Sequence, residues 1–210
     1  MTRVKICGIR RMEDALLAAE LGASALGFVF WPSSPRFLDP FQARPIVAAL
    51  PPFVATVGVF VNQPVSYVIG VAQLLNLAAI QLHGDEPLEK YARGAHRVIK
   101  SVAIVDGRDC VPAVRAVPPR ATVLLDAHDP ARRGGTGQAI DRKQAAAAAR
   151  IRPIILSGGL NADNVRDAVD DVRPYAVDLS SGVESSPGVK DPAKLRALFA
   201  ALGRHEANTL

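Results

Sequence analysis

Reactive and ionisable side chains stand at the ends of two short apolar runs of the sequence. Lys5 and Cys7 close the run at 4–7, and Asp126 closes the run at 123–126. If these runs are strands, period-two alternation places Lys5 and Cys7 on one face. A thiol and a carboxyl group facing one site can give and take protons. The structural alternatives are Cys7 as a small buried filler and Asp126 as an ion-pair partner of Lys5.

The remaining histidine and cysteine positions carry weaker signals. Gln81 and His83 share one face of the run at 79–82, and a hydrogen-bonded core histidine is the preferred interpretation of His83. Cys110 does not end a strand, which favours a structural role. No spacing of His, Cys and Asp resembles a zinc site, so no metal is expected.

Three glycine-rich segments follow predicted strands six, seven and eight. They lie at 132–137, 157–160 and 180–184. Glycine lets backbone N–H groups approach an anion closely, and the loops after the last two strands of a barrel are the usual phosphate site. The segments therefore predict a phosphate-bearing ligand. None fits a nucleotide-binding glycine pattern, so no cofactor is expected.

A stiff loop containing one arginine follows predicted strand two. The segment 31–37 has two prolines, Pro32 and Pro35, and carries Arg36. An arginine held above a strand end can pair bidentately with a carboxylate of a ligand. The alternative for Arg36 is a weak surface salt bridge.

Short apolar runs alternate with helical stretches along the whole chain. The predicted strands are 4–7, 25–30, 54–60, 79–82, 98–102, 123–126, 154–157 and 176–179. The predicted helices are 12–21, 40–50, 64–75, 87–93, 109–117, 141–150, 162–170 and 191–202. This alternation predicts an α/β fold, a (β/α)8 TIM barrel, formed by a single domain over 1–210. A doubly wound open sheet is the alternative.

Three local signals fix helix ends. Asn161 is predicted to cap the helix at 162–170, and Asp191 followed by Pro192 marks the start of the last helix. Leu21 followed by Gly22 marks the end of the first helix.

The composition excludes several classes of protein. With 49% hydrophobic and 21% charged residues among 210, the chain is not intrinsically disordered. A net charge of +5 with scattered arginines and 5% aromatic residues argues against nucleic acid as the ligand. No apolar run is long enough for a membrane span. Two cysteines and an N-terminus without a signal-peptide pattern predict a cytoplasmic protein.

Taken in order, these segments resemble the phosphoribosylanthranilate isomerase family of tryptophan biosynthesis. The matching motifs are Lys-Ile-Cys-Gly at 5–8, Gly-Phe-Val-Phe at 27–30, Ser-Pro-Arg at 34–36, Gln-Leu-His-Gly at 81–84, Leu-Asp at 125–126, Gly-Gly-Thr-Gly at 134–137, Ser-Gly-Gly-Leu at 157–160, Val-Asp-Leu-Ser-Ser-Gly-Val-Glu at 177–184 and Gly-Val-Lys-Asp at 188–191. They cover nearly the whole chain. Ser157 and Leu179 are conservative departures from the family's pattern.

The resemblance implies a barrel isomerase that performs an Amadori rearrangement of N-(5′-phosphoribosyl)anthranilate. It implies Asp126 as the general acid, Cys7 as the general base and Arg36 as the partner of the anthranilate carboxylate. The phosphate would be held by backbone groups of four residues: Gly158, Gly159, Ser181 and Gly182. Asp178 and Ser180 alternate onto the same side and are further candidates for the substrate pocket.

Two other functions stay open at this point. One is a different phosphosugar enzyme on the same barrel, such as an indoleglycerol-phosphate synthase, which would need more Lys and Glu at the strand ends. The other is a silent barrel that senses a phosphorylated metabolite, against which the presence of both Cys7 and Asp126 argues. Arg36 argues against the related carboxamide substrate of histidine biosynthesis. The expected partner is a small phosphoribosylated molecule, with other tryptophan-pathway enzymes as further candidates.

Overall fold

The computed structural model describes residues 2–91, 94, 96–105, 108–127 and 141–203. Within this part of the chain, eight parallel strands form a closed barrel in chain order, and the last strand pairs with the first. They are β1 (Arg3–Cys7), β2 (Ala25–Val29), β3 (Ala55–Phe60), β4 (Ala79–Leu82), β5 (Arg97–Ile104), β6 (Ala121–Ala127), β7 (Ile154–Leu156) and β8 (Ala176–Leu179).

Helices fill most of the connections between these strands. The α-helices of the described residues are α1 (Met12–Glu20), α2 (Pro40–Ala48), α3 (Val65–Leu74), α4 (Val111–Ala116), α5 (Arg142–Ala149), α6 (Val165–Val172) and α7 (Pro192–Ala201). Two short 3₁₀ helices, Leu88–Lys90 and Ser181–Val183, follow β4 and β8. None of the described helices is long and apolar enough to cross a membrane.

The strands are buried on both faces, so apolar side chains pack in two regions, one between the strands and the helices and one inside the barrel. Outward-facing residues such as Val4 and Ile6 pack against the helices in the largest cluster. The barrel interior holds a second layer of small and branched side chains: Val57, Ala79, Ile99, Leu124, Ile155 and Ala176. Such layers make the interior of a barrel a packed core rather than a pore. Functional groups can therefore collect only at its mouth.

The predicted (β/α)8 barrel is confirmed, and the doubly wound sheet is wrong because β8 closes onto β1. Most predicted elements have boundaries within a few residues of those observed, the usual uncertainty of element ends. A single domain over all of 1–210 stays a prediction, since 128–140 and 204–210 lie outside the described residues.

One predicted helix is wrong. The segment 87–93 was predicted to be helical, whereas its described residues form only the 3₁₀ turn Leu88–Lys90. The carboxylate of Glu86 accepts hydrogen bonds from the N–H groups of Asn62 and Gly84, which fixes the chain just before this turn. A short segment anchored in this way closes with one tight turn.

The capping predictions had mixed outcomes. Asp191 caps α7 by accepting bonds from two backbone N–H groups, and Leu21 is the C-cap that follows α1, in agreement with the predicted stop. The cap at Asn161 is wrong as placed. Its Oδ1 accepts the N–H groups of Asp163 and Asn164, so it closes the turn before α6, and the helix itself starts at Val165.

A short antiparallel hairpin, which the sequence did not predict, follows β8. Its strands are β9 (Glu184–Ser186) and β10 (Val189–Lys190), with Lys190 opposite Glu184. The backbone N–H of Lys190 donates to Oδ2 of Asp14 at 3.1 Å, which ties the hairpin to α1. The hairpin therefore connects the segment after the last barrel strand to the first helix.

Asp141 offers a test of the local capping energetics. It accepts the N–H groups of Lys143 and Gln144, and these bonds hold the pKa of its carboxyl below the usual value. We expect Asp141→Ala to destabilise the protein at pH 7 by about 1 kcal/mol, and Asp141→Asn by much less. Denaturant unfolding measures both.

The stabilisation that Asp141 provides, measured as the difference between the parent protein and Asp141→Ala, should depend on pH with a defined sign. A carboxyl whose pKa is lower in the folded state stabilises the protein above its unfolded pKa, and this contribution is lost as the pH falls through the folded value. The difference in unfolding free energy between the parent and Asp141→Ala should shrink below about pH 4. A difference that stays constant down to pH 2 would contradict the charged cap.

Candidate active site

The carboxyl ends of the strands bring three predicted site residues to one mouth of the barrel. Cys7 ends β1, Asp126 lies near the end of β6, and Asp178 lies in β8. All three are buried, with 8%, 6% and 5% of their surface exposed. Asp126 and Asp178 line one small cavity. As alternation predicted, Lys5 and Cys7 share the inner face of β1, where Lys5 reaches across to Asp178.

A buried ion pair lies directly below this mouth. Nζ of Lys5 donates to Oδ1 of Asp178 at 2.9 Å, and both side chains are almost fully buried. Burial alone would lower the pKa of Lys5, but the carboxylate of Asp178, followed by Cys7, outweighs it and raises that pKa. Lys5 is therefore a fixed cation beside Cys7. The alternative that Lys5 pairs with Asp126 is wrong.

The thiol of Cys7 has opposing influences around it. Burial raises its pKa above the usual value, the cations Lys5 and Lys190 lower it, and Asp178 raises it. Burial dominates, so the side chain is a thiol near neutral pH when the site is empty. A new positive charge at the mouth would favour the thiolate.

Asp126 is held by a histidine rather than by a lysine. Its Oδ2 lies 3.2 Å from Nε2 of His83, and its Oδ1 accepts the N–H of Ala127 at 3.0 Å. Nδ1 of His83 lies 3.1 Å from Nε2 of Gln81, and Oγ of Ser101 lies 3.3 Å from Nε2 of His83. Because the amide Nε2 of Gln81 can only donate, Nδ1 of His83 accepts that bond, and a neutral ring then carries its proton on Nε2, towards Oδ2 of Asp126.

Two glycine-rich loops line the mouth next to Asp126 and Asp178. Gly158 and Gly159 follow β7 with φ of 97° and 63°, a backbone conformation that residues other than glycine rarely adopt. A Cβ on Gly182, after β8, would overlap the carbonyl oxygen of Leu160, so the two loops pack backbone to backbone. Oγ of Ser180 is buried there, with no hydrogen-bond partner among the described residues. The third glycine segment, 132–137, lies outside the described residues.

Arg36 is already paired within the protein. Its Nε and Nη2 donate to the carboxylate of Glu184 over 2.7–3.2 Å. The two side chains are 11% and 4% exposed, so the alternative of a weak surface salt bridge is wrong. Burial raises the pKa of Glu184, but Arg36 and Lys190 outweigh it and the net pKa is lowered. Glu184 is therefore ionised.

The described residues contain no group of three His, Cys, Asp or Glu side chains that could hold a metal ion. Cys110 is buried, and its Sγ donates to the carbonyl oxygen of Gln144. The side chains at this mouth can transfer protons between a thiol, a carboxyl group and an imidazole, and glycine-rich loops and an arginine lie beside them.

Comparison with known proteins assigns the chain to a family. Residues 4–201 match the family model of N-(5′-phosphoribosyl)anthranilate isomerase. The isomerase of Geobacter metallireducens is 52% identical over 198 residues, which cover 93% of this chain and 96% of that protein. The crystal structure of the Thermotoga maritima isomerase is 44% identical with a TM-score of 0.89, covering 97% of this chain and all of that chain.

The chain belongs to this family.

A further structural relative was crystallised with a bound ligand. A phosphoribosyl anthranilate isomerase that is 43% identical, with a TM-score of 0.85, was crystallised with reduced 1-(o-carboxyphenylamino)-1-deoxyribulose 5-phosphate. It covers 97% of this chain and all of that chain. The predicted isomerase family is confirmed, which favours it over the synthase and sensor alternatives.

The structure brings most of the predicted site residues of this isomerase-family chain together. Asp126, Gly158, Gly159, Asp178, Ser180 and Ser181 line one cavity, Cys7 lies beside Lys5, and Gly182 packs against the loop after β7. Gly8 links Arg36 to this group, because a Cβ at Gly8 would lie 2.6 Å from Cδ of Arg36 and 3.2 Å from Oγ of Ser180. Their roles stay predictions.

Three residues around the mouth were not among the predicted site residues. His83 contacts Asp126, Glu184 contacts Arg36, and Lys190 contacts the backbone of Cys7. Alternation put His83 on the face of Gln81, which is a usable signal. Glu184 and Lys190 lie in matching motifs, but only the hairpin brings them back to β1 and to Arg36.

The charges around Cys7 predict the pH at which it reacts. Lys5→Met removes a cation that lowers the pKa of the thiol and leaves Asp178 without a counter-ion. Both changes raise the pKa of Cys7, so alkylation by iodoacetamide should begin about one pH unit higher or more. The measurement uses a Cys110→Ser background, in which Cys7 is the remaining cysteine of the chain.

Lys143→Met is the matched control, because it makes the same chemical change at an exposed lysine in the first turn of α5. It should leave the alkylation profile of Cys7 in place. An alkylation profile that moves to lower pH in folded Lys5→Met would show that Lys5 does not act on the thiol.

Proposed function

We propose that this chain carries out its family's rearrangement by general acid–base catalysis, with Asp126 as the acid and Cys7 as the base. As a member of the family it acts as an isomerase on N-(5′-phosphoribosyl)anthranilate in tryptophan biosynthesis. The observation that supports the roles most directly is the position of both groups at the same mouth, on β1 and β6. His83, with Nε2 3.2 Å from Oδ2 of Asp126, holds this carboxyl group in place at the mouth.

The reaction needs one proton given and one proton taken. Asp126 protonates the ring oxygen of the furanose, the bond from that oxygen to the first carbon breaks, and the anthranilate nitrogen becomes an iminium. Cys7 then removes the proton from the second carbon, and the electron pair of that bond neutralises the iminium. The resulting enol tautomerises to the ketone, so substrate and product are isomers and both groups recover their starting protons.

The ionisation of Cys7 suits this order of events. Burial keeps the thiol protonated in the empty site, and Lys5 alone does not reverse that. The iminium formed in the first step places a positive charge at the mouth, where opposite charges shift pKa values by about 1–3 units. Ring opening therefore favours loss of the thiol proton, which passes through solvent to the carboxylate left on Asp126. The resulting thiolate is the base that the second step needs.

The two anions of the substrate are assigned to opposite parts of the mouth. The phosphate is proposed to bind at the backbone of four residues: Gly158, Gly159, Ser181 and Gly182. The unpartnered Oγ of Ser180 supports this, because a buried hydroxyl without a bond is costly. The carboxylate is proposed to bind Arg36. Asp178, held by Lys5, lines the same cavity as the glycine-rich loops. The ligand of the solved relative carries both anions.

We also place this reaction in the cytoplasm, on the sequence evidence for a reducing compartment. Association with other tryptophan-pathway enzymes remains a prediction.

Substitution of each proposed proton carrier tests the assignment. Cys7→Ser replaces a thiol of pKa about 8.5 with a hydroxyl too weakly acidic to ionise near neutrality. Asp126→Asn keeps the volume and removes the transferable proton. Each change should lower the single-turnover rate by at least ~10²-fold. The dissociation constant of the product analogue should change less, because neither group is assigned to an anion.

Each variant has a matched control elsewhere in the fold. Cys110→Ser makes the same chemical change at a buried cysteine outside the mouth, and Asp163→Asn makes it at an exposed carboxylate. Both should keep nearly the parent rate. Near-parental turnover in folded Cys7→Ser or Asp126→Asn would remove that residue from the mechanism.

A further inference from the structure

The hairpin that follows β8 places two buried charges behind Arg36. Glu184 in β9 accepts bonds from Arg36, from the N–H of Gly188 at 3.2 Å and from Nζ of Lys190 at 2.8 Å. The side chain of Lys190 is fully buried. These three side chains form a charge cluster, hereafter the Arg36–Glu184–Lys190 cluster. Neither Glu184 nor Lys190 has a role in the mechanism above.

Glu184 occupies one defined edge of the Arg36 guanidinium. Nε donates to Oε1 at 3.0 Å, and Nη2 donates to Oε2 at 2.7 Å. Among the residues that the structure describes, none accepts a bond from Nη1. A guanidinium has five N–H donors in a rigid plane. The edge formed by Nη1 and the second hydrogen of Nη2 therefore stays available for another carboxylate.

The stem of Arg36 is also fixed. It lies over Gly8, where a Cβ would come within 2.6 Å of Cδ of Arg36. With its stem confined over Gly8 and one edge bound to Glu184, the guanidinium loses little further freedom when a ligand arrives. Preorganisation of this kind increases affinity by lowering the ordering cost of binding.

Lys190 sets the charge of the cluster. Its Nζ donates to the carbonyl oxygens of Cys7 and Ser180, at 2.6 and 3.4 Å, and to Glu184. Three acceptors match the three donors of an ammonium group and exceed the two of a neutral amine. Burial lowers the pKa of Lys190, and the carboxylate of Glu184 opposes that effect. With three acceptors around its ammonium group, Lys190 and Arg36 place two cations around one carboxylate, which leaves the cluster one positive charge. Without Lys190, the pair of Arg36 and Glu184 would be neutral.

We propose that Glu184 and Lys190 are positioning residues for recognition of the substrate's carboxylate. Glu184 fixes the orientation of Arg36 so that its Nη1 edge faces the ligand, and Lys190 keeps the cluster cationic. This inference rests on the proposed function, which assigns the anthranilate carboxylate to Arg36. It adds that the carboxylate joins Glu184 on the guanidinium and does not displace it.

Binding of two closely matched ligands tests the proposal. One is reduced 1-(o-carboxyphenylamino)-1-deoxyribulose 5-phosphate, and the other is the same molecule with a carboxamide in place of the carboxylate. The ratio of their dissociation constants measures the carboxylate preference. Arg36→Met should lower this preference by about 10- to 150-fold, the effect of losing a charge-assisted hydrogen bond. Glu184→Gln should lower it roughly tenfold.

The controls separate the inference from the proposed function. Glu20→Gln, at an exposed position of α1, should leave the preference unchanged. In an Arg36→Met background, Glu184→Gln should have no further effect on it. If Arg36→Met keeps the preference, the assignment of Arg36 fails and the inference falls with it. If Arg36→Met lowers it and folded Glu184→Gln keeps or increases it, only the inference is wrong.

Lys190→Met tests the charge of the cluster. It should lower the carboxylate preference and also slow turnover, because Lys190 holds the backbone of Cys7. Glu184→Gln should raise KM more than it lowers kcat. A folded Lys190→Met protein with parental carboxylate preference would overturn the role of Lys190.

A measurement on the unsubstituted protein covers the case in which the variants do not fold. The nuclear magnetic resonance signal of the Arg36 Nε–H group should be protected from exchange with water in the free protein. It should stay protected when the carboxylate ligand binds, since Glu184 keeps that edge. Because a ligand carboxylate on Nε would protect that group as well, the signal of the Glu184 carboxyl carbon is followed in the same sample. A large shift of that carbon on binding would show that the ligand displaces Glu184 and would overturn the proposal.

Discussion

Closure of the barrel is the constraint on which the rest of the structure depends. Pairing of β8 with β1 sets Asp178 opposite Lys5, and alternation turns both side chains into the interior. Below them the interior is apolar, so a charge at this level must be paired. The Lys5–Asp178 pair meets that requirement and at the same time supplies the charges that act on the thiol of Cys7. Packing and proton chemistry thus share the same two residues.

The proposed function divides the mouth into a reactive side and two anion-binding sides. Cys7 and Asp126 approach from strands on different parts of the barrel, and neither is exposed enough to be governed by bulk water. Around them the glycine loops offer backbone groups, whereas the Arg36–Glu184–Lys190 cluster offers a shaped guanidinium edge. Backbone N–H groups can bind a phosphate in many orientations, whereas the planar guanidinium of an arginine matches a planar carboxylate. The two anions of one ligand can therefore be told apart by geometry.

Much of this arrangement could be predicted from the sequence, because strand alternation and glycine-rich turns act locally. They predicted the strands, the inward direction of Lys5 and Cys7, and the loops after β7 and β8. Partners across the barrel are not local. The pairing of Lys5 depends on which residue of β8 lies opposite, and the pairing of Arg36 depends on a hairpin 148 residues away. A helix was predicted at 87–93 because nothing in the sequence shows that the Glu86 carboxylate accepts a hydrogen bond from the N–H of Asn62. That bond fixes the chain before the segment, which then forms a single turn.

The contacts that complete the mouth join residues from opposite ends of the chain. Lys5 and Asp178 are separated by 173 residues, and Lys190 and Cys7 by 183. Contacts of such separation form late in folding, since the entropy of closing a long loop must be overcome first. During synthesis β1 leaves the ribosome long before the hairpin exists. A nascent chain that ends before Asp178 can hold most of a barrel, but it lacks the cluster behind Arg36 and the counter-ion of Lys5, and so gains its site only after β8 and the hairpin have been made.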